Sequence, residues 1–165
     1  MGEEFRGDFG VELFSADFSD AYPHLRVHPE EYPHCLSPNP LGSDSVILWV
    51  MMAFGAKGAP LVWSRFAAAF GRLLQALLRP GEGRLQLYLD DPIWALRGSR
   101  RHRDYLISLS LAFLIALGVR ISWSKSQRGA QVEWCGVLYL ITSPSVLALT
   151  LPEKFVKDVL EELAH

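Results

Sequence analysis

Adjacent aspartates are costly at the tip of an apolar hairpin, and this chain has such a pair. Asp90 and Asp91 stand between RLQLYL (84–89) and PIWAL (92–96). Like charges that close repel, and each raises the other's pKa unless something positive lies between them. A divalent cation resolves the conflict, and oxygen-only donors favour magnesium or manganese over zinc. A third carboxylate, Asp17, ends another apolar run, VELFSAD (11–17). If the two segments are neighbours in one sheet, three carboxylates converge to within about 4–7 Å, around two ions about 4 Å apart that clamp an in-line phosphoryl displacement. Taken alone, Asp-Asp is equally ordinary in a solvated turn, so the surrounding residues decide.

The chain has 165 residues, enough for one domain of ordinary size. It is 50% hydrophobic and 21% charged, which supports a real core and excludes a disordered chain. The net charge of −2 neither announces nor excludes nucleic acid, because a local basic face steers phosphate. Cys35 and Cys135 have no CxxC spacing and read as reduced thiols of an intracellular protein. No cationic, apolar leader begins the chain. The apolar stretch 105–119 is shorter than the roughly 20 residues that span a bilayer, so it reads as a buried helix with no membrane partner.

Two further clusters carry side chains that could bind ligands. His24, His28, His34 and Cys35 match no zinc-ligand spacing and have prolines between them, which points to an irregular loop. Arg97, Arg100, Arg101, His102 and Arg103 form a basic run at a helix start, where cations are mildly unfavourable. A solvated helix end is the plain reading there, and a phosphate contact the functional one.

Positioning these groups requires a framework of alternating strands and helices. Residues 11–17 read as a strand, and five prolines across 23–44 exclude a long regular element. The continuous apolar run 45–54 predicts a strand buried on both faces. After Pro60, Leu61, Val62, Phe66, Ala69, Leu73, Leu74, Leu77 and Leu78 recur near helical period, and Arg79-Pro80-Gly81 stops the helix. The hairpin around Asp90-Asp91 follows. Ser99 caps a second helix that runs to Leu117, with Gly118 just past its end. VRISW (119–123) and VEWCGVLYLI (132–141) read as two short strands, and Pro152 opens a last amphipathic helix. This order predicts an α+β domain with an antiparallel sheet packed on helices.

Taken together, the segments resemble the successive motifs of retroviral and retrotransposon reverse transcriptases. Ala16-Asp17-Phe18-Ser19-Asp20-Ala21-Tyr22 is similar to the first palm motif, and Arg26-Val27-His28-Pro29-Glu30 to its tail. Ala53-Phe54-Gly55-Ala56-Lys57-Gly58-Ala59-Pro60 resembles the "PFG-x-x-x-AP" motif, and Tyr88-Leu89-Asp90-Asp91 the YxDD box. Leu117-Gly118 with Trp123-Ser124-Lys125-Ser126-Gln127 resembles "LG…N-x-x-K-S/C", and Glu133-Trp134-Cys135-Gly136-Val137-Leu138 the primer grip. Their order and spacing agree over nearly the whole chain, and Phe54 with the Lys-Ser-Gln tail favours the retrotransposon side.

The resemblance implies a palm over 1–150, with a remnant of fingers, and the start of a thumb or connecting helix over 151–165. Fingers and thumb are otherwise missing. It implies Asp17, Asp90 and Asp91 as ligands of two magnesium or manganese ions, adds Phe18 to the metal-holding set, and makes Lys125 catalytic beside the leaving pyrophosphate. Phe18, Ser19, Asp20, Ala21, Tyr22, Phe54, Gly55 and Lys57 would surround a deoxynucleoside triphosphate, with Tyr22 excluding a 2′-hydroxyl. Trp134, Cys135 and Gly136 would grip the primer of an RNA or DNA template-primer. The implied activity is RNA-directed DNA synthesis within a larger polyprotein; the other reading is a truncated or decayed fragment without turnover. One departure stands out: Pro92 follows the aspartates where the family has an aliphatic residue.

Overall fold

A computed structural model of the chain describes residues 10–42 and 44–163. In chain order the strands and helices are β1 (Val11–Ser15), β2 (Leu36–Pro38), β3 (Val46–Leu48), α1 (Ala59–Ala76), β4 (Gly83–Tyr88), β5 (Asp91–Arg97), α2 (Arg100–Ala116), β6 (Gln127–Gly129), β7 (Gln131–Trp134), β8 (Val137–Ser143), β9 (Val146–Thr150) and α3 (Glu153–Leu163). The main sheet has the order β4-β5-β1-β6, and its neighbours are antiparallel throughout. A second sheet runs β7-β8-β9, and β2 pairs with β3. The chain is therefore α+β, with antiparallel sheets and helices packed on them.

Period-two alternation gives the main sheet two buried faces. From β1 and β5, Phe14, Trp94 and Leu96 enter one core with Trp63, Ala67 and Leu74 of α1 and Leu106, Ile107 and Leu114 of α2. The intervening Leu13 and Ile93 face the other way and pack with Val132 and Ile141 of the second sheet. Gly83 is required where β4 meets β5, because a Cβ there would sit 2.6 Å from the Ala95 carbonyl oxygen. The outer edge of β4 is covered by Gln75 of α1, whose Oε1 accepts from the Leu85 amide (2.8 Å) while its Nε2 donates to the Gly83 carbonyl (3.4 Å). The side-chain amide thus stands in for a neighbouring strand.

Ser99 caps α2 as expected, with its Oγ accepting from the His102 amide, and Gly118 takes a positive φ just beyond the helix. Other expectations need correction. The run 45–54 is strand only at Val46–Leu48, and Val46 and Leu48 are exposed rather than buried on two faces. It forms a two-stranded hairpin outside the main sheet, so continuous apolarity there does not mean a central strand. The stripe of α1 that enters the core is Ala59, Trp63, Ala67 and Leu74; Leu61, Val62, Phe66 and Leu73 are exposed. Small alanines let the helix lie close to the sheet, and one tryptophan fills the space a row of leucines was expected to fill. The segment 119–123 makes only a single bridge, from Ile121 to Phe18, and 132–141 is a hairpin turning at Cys135-Gly136. Strands β6 and β9 were not anticipated.

Two members of the basic run, His102 and Arg103, have acidic partners within the fold, while Arg97, Arg100 and Arg101 are exposed. Arg103 is buried, and its Nε donates to Glu12 (3.1 Å), which also receives Arg128 Nε (2.8 Å). Arg128 bonds Asp104 in turn, so α2, β1 and β6 meet on one charge network. His102 reaches Glu82 at 3.1 Å. Burial works to raise the Glu12 carboxyl, but hydrogen bonds from Arg128 and Arg103 outweigh it and hold the group below the usual range. Glu12→Gln should cost roughly 2 kcal/mol at pH 7, as expected for lost hydrogen bonds between charged groups. A depressed folded pKa contributes stability above the ordinary glutamate range and loses it as pH falls, so urea midpoints of parent and variant should converge at acid pH. Equal midpoints at pH 7 would mean that the guanidiniums do not depend on Glu12.

Candidate active site

The ladder between β1 and β5 runs on past the end of β1. Its last strand pair is Ser15 with Ile93; then the Ala16 amide donates to the Pro92 carbonyl (3.1 Å) and the Phe18 amide to the Asp90 carbonyl (2.8 Å). These two bonds bracket Asp17 and set it opposite Asp91 as a non-hydrogen-bonded pair, the geometry that brings facing side chains closest. The strand ending on Asp17 therefore lies beside the Asp90-Asp91 hairpin, as expected. Pro92 has no amide proton, so the ladder lacks the return bond to Ala16 at this point. Its ring is fully buried, and the turn is retained.

The hairpin turn has Leu89 and Asp90 at its centre, between the paired Tyr88 and Asp91. Leu89 takes φ +53, the sign a type II′ turn demands at its first central residue and one that glycine meets without strain. The other non-glycine residues with positive φ among those described are Asp20 (φ +53) and Cys135 (φ +49). All three lie in loops named by the sequence motifs, and each such conformation costs on the order of 1 kcal/mol. Strain of this kind concentrates at functional sites.

Lys125 completes the charge arrangement. The Ser122 amide donates to the Asp17 carbonyl (2.8 Å), and the Ser19 amide to the Arg120 carbonyl (2.9 Å), which carries the Trp123–Lys125 turn alongside. Lys125 Nζ then lies 3.1 Å from both carboxylate oxygens of Asp17. Asp90 and Asp91 have less relief. Burial is the main influence raising Asp90; the charge of Asp17 adds to it, while a backbone hydrogen bond and Lys125 oppose it. Burial first, then the charges of Asp17 and Asp90, push Asp91 up to about 6.

As a donor set, three aspartates under mutual repulsion suit a hard divalent cation. Among the described residues, however, no three acidic, histidine or cysteine groups are arranged around one point as a finished metal cage. Asp17 has both oxygens turned to Lys125, so an ion there would compete with the ammonium for them. The Phe18 side chain is buried and packs edge-on to Phe70 (6.4 Å), leaving only its main chain for a ligand.

The residues expected around a nucleotide divide into two groups. The amides of Phe18 and Ser19 already have acceptors, whereas those of Asp20 and Ala21 have none among the described residues. Asp20 also faces Arg120 at 3.5 Å, and its carbonyl lies 2.7 Å from His24 Nδ1. The Tyr22 ring meets Phe54 edge-on at 4.8 Å and Trp63 at 6.4 Å, so both motif aromatics share one wall. Gly55 (φ +86) has open space where a Cβ would be, and Lys57 is exposed. A cleft of about 510 Å³ is lined by Val27, Cys35, Trp49, Met51, Gly55 and Val62 among others, and by none of the three aspartates.

Trp134, Cys135 and Gly136 form the β7–β8 turn, with positive φ at both central residues. Sequence reasoning missed where the Trp134 side chain goes: its Nε1 donates to the main-chain carbonyl of Asp91 at 2.9 Å. Burial, then the charges of Asp91 and Asp90, raise the Cys135 thiol, which brings this turn to the carboxylates. No helix among the described residues is long and apolar enough to cross a membrane.

No protein-family model matches the chain, and no curated protein matches it. Among solved structures it is similar to a foamy viral protease-reverse transcriptase determined in complex with double-stranded DNA. The TM-score is 0.72 at 14% identity, covering 90% of this chain and 28% of that one. The fold is therefore one found within a reverse transcriptase, and the chain spans about a quarter of that protein's length.

The electrostatics give a direct test. A folded pKa of about 6 at Asp91, above its ordinary 3.8, makes the folded state lose stability as pH rises between those values. Without added metal, Asp91→Asn should raise the melting temperature by a few degrees at pH 8, and the gain should vanish near pH 4. A gain that does not change with pH would remove charge crowding as its cause.

Proposed function

We propose that this chain is the palm of an RNA-directed DNA polymerase, which adds deoxynucleotides to a primer 3′-hydroxyl. The observation that carries this reading is the β1–β5 register, which sets Asp17 opposite Asp91 and beside Asp90 within a reverse-transcriptase-like fold. Asp17, Asp90 and Asp91 hold two magnesium or manganese ions. Such ions would supply activation of the attacking oxygen and charge neutralisation at the leaving pyrophosphate.

The remaining residues bind and orient. The amides of Asp20 and Ala21 point to the triphosphate, a narrower cradle than the whole segment 18–21. Tyr22, held edge-on by Phe54, forms the wall against a 2′-hydroxyl. Lys125 supplies positive charge to the leaving pyrophosphate once Asp17 has turned to metal. Template and primer are RNA or DNA, and a larger polyprotein supplies fingers and thumb. A second reading, a fragment without turnover, draws on Lys125: its ion pair with Asp17 partly neutralises the site without metal.

Primer extension on one RNA template separates these readings. In a protein extended by its flanking polyprotein segments, the parent should synthesise DNA with magnesium or manganese, and Asp90→Asn should lose nearly all of that activity. Tyr22→Ala should retain chemistry and begin to accept ribonucleotides, because it removes a wall and not a ligand. Undiminished extension by Asp90→Asn would defeat the metal assignment, and an inert parent would favour the fragment without turnover. In the chain alone, manganese should broaden the NMR signals of residues around Asp17 and Asp90 before all others.

A further inference from the structure

The Trp134 indole reaches a carbonyl 43 positions earlier in the chain, and the contacts around it explain how it is held there. Its ring packs edge-on to Tyr139 (5.7 Å) against the second core, so the side chain is fixed on the strand pair and not free at the tip. One residue before it, Glu133 is gripped by Gln127, whose Oε1 accepts from the Glu133 amide (3.0 Å) and whose Nε2 donates to the Glu133 carbonyl (2.9 Å). Gln127 follows Lys125 by two residues, and Lys125 holds Asp17. The tethers therefore close a ring: Asp17 to Lys125, Gln127 to Glu133, Trp134 to Asp91, and Asp91 back to Asp17 across the ladder.

Asp91 needs such a tether. The preceding turn contains Leu89 in a conformation that favours glycine, and Pro92 omits a ladder bond on the other side. The main chain carrying two aspartates is thus less constrained by its own hydrogen bonds than an ordinary hairpin. An indole N–H supplies one neutral donor to that chain, and it also lies within hydrogen-bonding reach of the Asp91 carboxyl itself.

We propose that Trp134 is a positioning residue for Asp91: its indole, set by the β7–β8 hairpin and by Gln127, fixes the main chain from which Asp91 projects. Resting on the metal-binding reading above, this makes the Cys135-Gly136 turn a mechanical partner of the carboxylates. A load on the turn is passed through Trp134 to a metal ligand.

Trp134→Phe keeps an aromatic ring on the Tyr139 side while deleting the N–H and part of the ring volume. Val132→Ala weakens the same hairpin core without touching Asp91 and serves as the structural control. In metal-free protein, Trp134→Phe should shift the backbone amide signals of Leu89, Asp90 and Asp91, while Val132→Ala lowers the melting temperature and leaves them in place. Manganese affinity, read by paramagnetic broadening, should fall about tenfold in Trp134→Phe, the low end for losing a group that orients a metal ligand, and stay unchanged in Val132→Ala. Unshifted amides in Trp134→Phe overturn the proposal, and so does an unchanged manganese affinity when the parent binds the ion. If the parent binds no manganese at Asp17 and Asp91, the metal-binding reading fails by itself. The amide shifts then decide the role of Trp134 alone.

Discussion

The amide bonds from Ala16 to Pro92 and from Phe18 to Asp90 hold two ionisable carboxylates face to face, and the surrounding architecture responds to that constraint. Backbone hydrogen bonds fix the strands in register regardless of what the side chains prefer, so Asp17 and Asp91 cannot move apart without opening the ladder. Half-burial lowers the local dielectric and strengthens their repulsion. Lys125 offsets part of it by pairing with Asp17, but that ion pair is exposed and contributes little. Burial first, and then the neighbouring carboxylate charge, hold Asp90 and Asp91 above the ordinary range.

The body of the domain keeps this end in place by burying both faces of the sheet that bears it. Trp63 and Trp94 fill the helical side and Val132 and Ile141 the other, while the carboxylates lie where β1 and β5 run out. The Glu12 network performs a related task farther along the same strand. By binding both α2 and β6 it anchors the strand that leads on from Lys125. Strained positions are thus supported by regular elements that tolerate little rearrangement, as expected where local strain is kept.

Much of this was legible because the sequence carries period and punctuation at the right places. The hairpin around Asp90-Asp91, the Ser99 cap and the Gly118 stop each depend on local chemistry, which one chain displays directly. What was not legible depends on partners distant in sequence. Leucines on α1 satisfy helical period as well as Trp63 and Ala67 do, and only the shape of the facing sheet selects between the two stripes. The apolar run 45–54 looked central because composition reports hydrophobicity and not what covers it. Arg103 looked like a surface cation because nothing nearby in sequence announces Glu12. The motif names Trp134 but not where its indole goes, because the bond to Asp91 depends on a fold that brings residues 43 positions apart together.

The geometry of Lys125 sets a condition on any chemistry at this site. Both of its bonds go to the two oxygens of one carboxylate, so while they last Asp17 has no oxygen in which Lys125 does not share. A divalent ion taking Asp17 would therefore compete with the ammonium and tend to exchange with it. Because the ion carries twice the charge and answers Asp90 and Asp91 as well, the exchange relieves repulsion that a single lysine cannot reach. The displaced Nζ stays on its short tether after Trp123, close to the phosphate that the ion would bind. On the polymerase reading, an ion held by the three aspartates would loosen Lys125 from Asp17 and leave its cation available to a leaving pyrophosphate.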